Sequence, residues 1–369
     1  MVEWKKLEDV CKVLTGGDAP LDCIKGQTEP SAENPYPVYS NGDEVYGFCP
    51  SYRVSEDAVT ISSIGNVGSV NYRSANFTPI IRLKVVVPSI PNLKTKYLYY
   101  TLLGYRFIGT NSSLSSMKAA DIKGLPIPLP SLSEQERIVG ILDTFTSSIE
   151  NLKAQISLRR KQYEHYRDKL LDLEGKPGVE MKTLGEIGTF IRGNGIQKND
   201  FREEGFGCIH YGQIHARYGF AITETISKID ESLYKRCKKA QKGDVVLATT
   251  SEDAEGVAKP VIWLGEGEVA VSGDAFIYHH NQNGKFMGYQ FLTHKFMQFK
   301  VKYATGAKVV RISGDNMAKF EIPLPSLQEQ SRIVSILDEF EASIKNLEAQ
   351  LEAREKQYEY YRNKLLTFE

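Results

Sequence analysis

The sequence has no surplus of either charge: 46 Lys and Arg stand against 46 Asp and Glu, a formal net charge of zero. A protein that binds nucleic acid by electrostatics alone usually carries a basic excess, so this balance excludes the simplest DNA-binding design. Long apolar runs are missing too. No window approaches the roughly 18 consecutive apolar residues of a membrane helix. The opening MVEWKKLEDV mixes acids with bases and has no apolar stretch of the kind a secretory signal needs. Cysteine is scarce and scattered: Cys11, Cys23, Cys49, Cys208 and Cys237 form no C-x-x-C. That pattern suits reduced thiols in a cytoplasmic protein. The rest of the composition, 41 % hydrophobic and 25 % charged over 369 residues, is that of a globular chain of two or three domains.

Catalytic motifs are equally scarce. Gly284-Lys285 runs into Phe286 and lacks the upstream glycine of a phosphate loop. NPYP (34–37) has one proline too few for the Asn-Pro-Pro-aromatic motif of amino-methyltransferases, and FIRGNG (190–195) is only a fragment of a glycine-rich cofactor loop. Both read as turns. His210 with His215, and His279 with His280, lack the spacing of H-E-x-x-H and any neighbouring cysteine pair. G-x-S-x-G is absent, and Ser272-Gly273-Asp274 reads as a turn at a strand end. The expectation is a chain with no catalytic residues, no metal and no small-molecule substrate.

What the sequence does contain is a repeat. Residues 127–174 and 322–369 align without a gap, and roughly two-thirds of the positions are identical. A weaker echo precedes each copy: VEWKKLEDVCKVLTGG (2–17) resembles VEMKTLGEIGTFIRGN (179–194). Between echo and repeat the halves diverge almost completely. The chain is therefore a duplicated unit, with GKPG (175–178) as the turn between copies.

The repeated segment carries a heptad seam. Ile138, Leu142, Phe145, Ile149, Leu152, Ile156, Arg159 and Tyr163 alternate at spacings of four and three, continuing through Tyr166 and Leu170. The second copy gives Ile333, Leu337, Phe340, Ile344, Leu347, Leu351, Arg354 and Tyr358, then Tyr361 and Leu365. An a/d pattern over about five heptads predicts a coiled coil. Ser131 and Ser326, each behind a proline, open the helices, with Glu134 and Glu329 at capping-box spacing. About 40 residues at 1.5 Å per residue make a rod of roughly 60 Å. The economical partner for each stripe is the other copy, returning antiparallel within the chain; pairing between molecules is the alternative. Arg159 and Arg354 interrupt the seam at equivalent positions, either to fix register or to reach solvent along their stems.

The intervening segments read as mixed domains with long irregular loops. The first has β-like runs at 58–61 and 80–87, turns at 40–43 and 64–72, and a helical stretch at 94–103. The second has strands at 244–248, 260–264 and 275–278 and a loop at 249–256. Loops on a rigid core are where recognition concentrates, and their polar residues are of the types that read base edges and phosphates. The candidates in the first are Tyr39, Asn41, Tyr52, Arg53, Asn66, Asn71, Tyr72 and Arg73. In the second they are Tyr211, Gln213, His215, Arg217, Ser251, Lys259, Lys308 and Arg311.

Two divergent domains alternating with two near-identical helices, each introduced by IPLPSLxEQ, resemble the specificity subunit of type I restriction-modification systems. The resemblance rests on 127–138 and 322–333, the heptads behind them, NGDEVYGF (41–48), GDVVLATTSEDAEG (243–256) and GAKVVRIS (306–313). The first domain departs from it at 109–124, which lacks the basic pair Lys308 and Arg311. The resemblance implies an α+β chain with pseudo-two-fold symmetry. Target-recognition domains at 1–130 and 175–325 would be separated by two long antiparallel spacer helices at 131–174 and 326–369, forming an intramolecular coiled coil. It implies that each domain reads one half of a bipartite, asymmetric site in double-stranded DNA while the coiled coil sets the spacing. The partners would be two methyltransferase subunits and the restriction/translocase subunits, which carry S-adenosylmethionine, ATP and magnesium. The chain itself would be non-catalytic. Two rival readings are a single-chain methyltransferase with fused specificity domains, and a coiled-coil scaffold unrelated to DNA.

Overall fold

The computed structural model describes residues 2–105, 107, 117–253, 255–306 and 309–368. Contacts divide the chain into two compact units. The first comprises residues 1–154 and 348–369, the second residues 155–347. Each long helix, Leu132–Leu171 and Leu327–Leu366, contributes one half to each unit.

In the first unit four antiparallel strands lie in the order Cys11–Thr15, Lys84–Pro88, Ala58–Ile61 and Val70–Arg73. A second sheet orders Ile24–Lys25, Val45–Cys49, Tyr36–Tyr39 and Thr78–Pro79, the last of them parallel. Ala58–Ile61 is buried throughout, as a central strand covered on both faces must be. The run read as a strand over 80–87 forms a ladder only from Lys84. Ile81 and Arg82 instead take left-handed backbone conformations, φ 51° and 60°. They turn the chain so that Ile80 N–H reaches the Tyr39 carbonyl and Ile81 N–H the Gly17 carbonyl.

The second unit repeats the first ladder with unrelated residues. Gly188–Arg192, Ala275–His280, Val245–Ala248 and Lys259–Trp263 follow the same order, with Ala221–Ile222 added at the edge. The duplication therefore extends through the segments whose sequences diverge. Burial of the central strands and strand order survive that divergence because they need only apolar residues of suitable size. Part of the segment read as loop, Thr250–Ser251, is instead a short strand paired with Val310–Arg311. The GKPG turn holds Gly175 and Gly178 at φ 74° and 75°, a region that favours glycine.

Each long helix begins inside a module. Glu134 N–H donates to Ser131 Oγ and Glu329 N–H to Ser326 Oγ, both at 3.3 Å. Only that half of the expected capping box forms: the carboxylates turn to Arg137 and Arg332 instead. One turn on, Ile138 and Leu142 are fully buried in the first core, with Tyr97, Leu98 and Val86. Ile333 and Leu337 are fully buried in the second, with Tyr289, Phe286 and Val245.

Two glutamines that the sequence reading passed over are fully buried at these entries. Gln135 Nε2 donates to the carbonyls of Asn92 (2.8 Å) and Pro130 (3.0 Å), and its Oε1 accepts from Lys94 N–H (3.0 Å). Gln330 does the same in the second unit, donating to the Pro325 carbonyl (2.9 Å) and Gln282 Oε1 (2.9 Å) and accepting from Asn283 N–H (3.1 Å). A second clamp repeats as well. Asp143 accepts from Lys96 and the Tyr100 hydroxyl (2.7 and 2.6 Å), and Asp338 from Lys285 and the Tyr289 hydroxyl (2.7 and 3.1 Å).

Within each unit the two helix halves pack together antiparallel. In the first, the rings of Phe145 and Tyr361 stack 5.4 Å apart, and the Arg354 guanidinium lies 5.7 Å from the Phe145 ring. Lys153 pairs with Glu355 at 3.2 Å. In the second, Phe340 stacks on Tyr166 at 5.5 Å under the Arg159 guanidinium at 6.0 Å, and the Tyr163 hydroxyl donates to Glu341 at 3.1 Å. The seam arginines thus lie over the phenylalanine of the opposite helix in both units, contributing roughly 0.5–1 kcal/mol each. Ile156 is buried, while Ile149, Leu152, Ile344, Leu347 and Leu351 are half-buried, as expected where only two helices meet.

Replacing Gln330 with leucine leaves the buried Pro325 carbonyl and the half-buried Asn283 N–H without their side-chain partner. It is expected to cost about 1–3 kcal/mol, read as an earlier urea-unfolding transition, with Gln135→Leu behaving alike. An unchanged midpoint for both would contradict the anchoring role.

A candidate nucleic-acid interface

In the second unit the strand Phe206–Ile209 leads into the helix Tyr211–Ala216, capped by His210, whose Nδ1 accepts from Gly212 N–H at 3.2 Å. Burial holds this imidazole below its usual pKa, which suits an acceptor. Tyr211 N–H donates to Ser272 Oγ at 2.9 Å. At the helix end, His215 Nε2 meets the Thr250 carbonyl at 2.8 Å; since a carbonyl only accepts, this nitrogen carries the proton. Lys259 Nζ donates to the His215 carbonyl at 3.1 Å. Helix, strand and ribbon are thereby stitched around a cleft of about 740 Å³.

This cleft gathers four sequence candidates, Tyr211, His215, Ser251 and Lys259, together with Thr250 and Val309. Thr250 Oγ1 is buried and meets no protein partner. Glu252, Asp253 and Glu255 line the same wall. Carboxylates repel phosphates and accept from exocyclic amino groups, so this mixture suits base edges better than backbone. It also makes sense of a chain with no basic surplus. Arg311 is exposed beside the cleft; its backbone pairs with Thr250 in the ribbon and exchanges two hydrogen bonds with Thr305, donating at 2.8 Å and accepting at 2.9 Å. Arg217 is exposed at the end of the helix. Gln213 turns away, donating to Ser227 Oγ at 2.6 Å. Lys308 lies outside the described residues.

The first unit divides its candidates differently. Tyr39, Asn41, Asn71 and Arg73 converge on the turn at 40–43, but to build it. Asn41 Oδ1 accepts from Ser63 N–H (2.6 Å) and Ile64 N–H (3.3 Å), and its Nδ2 donates to the Ile81 carbonyl (2.5 Å). Arg73 is buried, donates to the carbonyls of Asp43 (3.0 Å) and Gly42 (3.2 Å), and lies 3.9 Å from the Tyr39 ring. Its guanidinium is spent on the fold rather than presented to a ligand. Asn71 Nδ2 and Ser69 Oγ both donate to Asp43 Oδ1 at 2.9 Å, holding that carboxyl below its usual pKa. Tyr72 donates to Asp57, and burial with that carboxylate pushes its hydroxyl up to about 12. Tyr52, Arg53 and Asn66 remain exposed, with Tyr52 edge-on to Tyr36 and Arg53 reaching the Asp18 carbonyl at 3.0 Å.

The two near-misses for catalysis, read from the sequence as turns, are strand boundaries instead. NPYP runs into the strand Tyr36–Tyr39, and FIRGNG leaves the strand Gly188–Arg192, where a Cβ on Gly193 would stand 2.3 Å from the Ser272 carbonyl oxygen. His279 Nδ1 pairs with buried Asp244 at 2.8 Å. Among the described residues, no group of three or more His, Cys, Asp or Glu is placed to hold a metal ion, and no helix is long and apolar enough to cross a membrane.

A mixed module built twice, with dissimilar loop residues, and long helices docked into each copy define the class: a duplicated recognition protein. The chain belongs to the type I restriction-modification DNA specificity family, whose domain matches twice, at residues 1–159 and 177–354. It is 28 % identical over 394 aligned positions to a putative type I restriction enzyme specificity subunit of Haemophilus influenzae, covering 100 % of this chain and 96 % of that one. The specificity subunit of the EcoR124I/EcoR124II type I restriction enzyme of Escherichia coli is 31 % identical over 299 positions, 77 % of this chain and 74 % of the relative. Among solved structures, the type I restriction-modification S subunit from M. genitalium superposes with a TM-score of 0.58 at 17 % identity, covering 100 % of this chain and 97 % of that one. A chain from a structural study of complex assembly and conformational transition of the type I system gives 0.59 at 16 % identity, covering 99 % and 96 %. At such identities these likenesses establish the fold.

Arg73→Ala is expected to destabilise the first unit by about 2 kcal/mol, because it empties a buried site and removes the bonds to the Gly42 and Asp43 carbonyls and the contact with the Tyr39 ring. Arg311→Ala should leave stability within about 0.5 kcal/mol, as exposed sites do. Thermal unfolding of both variants checks the division; equal losses would erase it.

Proposed function

We propose that this chain selects the DNA target of a type I restriction-modification enzyme, each unit reading one half of a bipartite, asymmetric site in double-stranded DNA. The observation that carries the reading is one ladder built twice, on near-identical helices, with different side chains around its loops. Equivalent scaffolds call for equivalent docking on a duplex, and dissimilar loops call for a target that is not a palindrome. The helices act as the spacer. A 60 Å rod spans at most about 18 bp, and about one turn of DNA between half-site centres puts both readers on one face.

The duplicated surface supports two copies of one partner, the methyltransferase subunit. Leu132 and Leu327, at equivalent positions of the repeat, are 41 % and 56 % exposed; Trp4 and Met181, on equivalent entry strands, are 48 % and 43 % exposed. A groove recurs where each long helix ends, with Pro128, Arg362 and Leu366 in the first unit and Pro323, Asp168 and Leu171 in the second. Restriction/translocase subunits complete the enzyme. S-adenosylmethionine, ATP and magnesium belong to those partners in the cytoplasm, and this chain contributes no catalytic group.

Inserting one heptad into each helix, next to Leu152 and Leu347, keeps the seam and adds about 10 Å, or about 3 bp. Sequencing the methylated motif of the assembled enzyme should show a wider gap between unchanged halves. A changed half with an unchanged gap would refute the spacer. Since phosphate contacts dominate affinity, the chain alone is expected to bind its site at least about 100-fold more weakly than the methyltransferase complex in filter-binding titrations.

A further inference from the structure

Lys300 has only 3 % of its surface exposed, an uncommon place for a lysine. It sits in the helix His294–Tyr303, outside every group considered so far. Its ammonium donates to the carbonyls of Glu255 (2.5 Å) and Val257 (2.8 Å), at the far end of the loop that walls the cleft. That loop brings Glu252, Asp253 and Glu255 close together at the surface. Burial pushes the Lys300 ammonium down to about 8, and the charges of Asp253 and Glu255 act in the opposite sense, favouring the protonated donor.

The helix that carries Lys300 is itself held fast. Thr293 caps it, accepting from Phe296 N–H at 3.2 Å, and Phe296 is fully buried. At the same end Lys295 pairs with Asp172 at 2.8 Å, and His294 N–H donates to Asp168 at 3.3 Å. Both acids lie at the end of the first long helix. A chain of short contacts therefore runs from that helix, along His294–Tyr303, to the underside of the loop. In the first unit the equivalent post-strand segment is held differently, by Asn41 Oδ1.

We propose that Lys300 is a positioning residue for DNA specificity, a buried latch that holds the cleft-wall loop of the second unit in its reading conformation through the Glu255 and Val257 carbonyls. This rests on the reading that the second unit recognises a half-site. The test uses the full chain assembled with its methyltransferase partner and carrying Lys300→Met, which keeps the bulk of the stem and removes the donors. Methylation of duplexes bearing single-base changes in either half is compared with the wild type. The latch requires at least a tenfold loss of discrimination in the half read by the second unit and unchanged discrimination in the other. A merely structural defect lowers both alike, and that outcome, or intact discrimination in both halves, overturns the proposal.

Hydrogen exchange on the chain separates the latch from the functional reading. Amides of Glu255, Gly256 and Val257 should exchange at least tenfold faster in Lys300→Met, whether or not any DNA is methylated, and unchanged exchange overturns the latch. A wild-type complex that methylates no bipartite motif instead defeats the reading of the unit, leaving the exchange result to judge the latch. If Lys300→Met does not fold, the wild-type chain decides. The latch requires the loop amides to exchange with those of His294–Tyr303; exchange at the free-peptide rate overturns it.

Discussion

The seating of each long helix in its module depends on a buried amide at the helix start. A spacer conveys length only if it cannot swivel where it meets its module, and apolar packing alone leaves rotation about the helix axis cheap. Gln135 and Gln330 remove that freedom by bonding to backbone groups on both sides of the junction, in a setting where an unmade bond is costly. Asp143 and Asp338, one face further along, add a second point to each attachment. Two directional contacts fix an orientation that one cannot.

The aromatic clasp between the helices carries the same logic to the seam. In each unit a phenylalanine meets both a stacked tyrosine and an arginine of the opposite helix. Apolar side chains alone tolerate sliding by a turn, whereas a guanidinium over a ring has one good register. The sequence reading left two roles open for Arg159 and Arg354, and their placement over Phe340 and Phe145 favours register.

Recognition surfaces are built with less redundancy. In the first unit the polar residues that look most like readers, Asn41 and Arg73, are consumed in shaping a turn, while Tyr52, Arg53 and Asn66 face outward. In the second, a helix, a strand and a two-stranded ribbon converge, and a buried lysine supports the loop between them. Sequence could list residue types suited to DNA but could not separate those that hold the loop from those the loop displays. That division depends on which neighbour each side chain meets across 20 to 40 residues of chain, as Asn41 meets Ser63 and Arg73 meets Gly42.

The spacing of apolar residues, the repeat and the helix caps are local properties, so the two long helices, their seam and the family were legible from the amino-acid order, while pairing within the chain rather than between molecules was decided by the tertiary contacts. Gln135, Gln330, Asp143 and Asp338 were legible in part, since both copies share them, yet a shared polar residue does not announce whether it is buried. The common ladder of the two modules, the ribbon joining 250–251 to 310–311 and the latch at Lys300 emerge only when distant segments meet. Many sequences satisfy one strand order, and a lysine declares itself structural only when folding removes it from water and hands its protons to carbonyls.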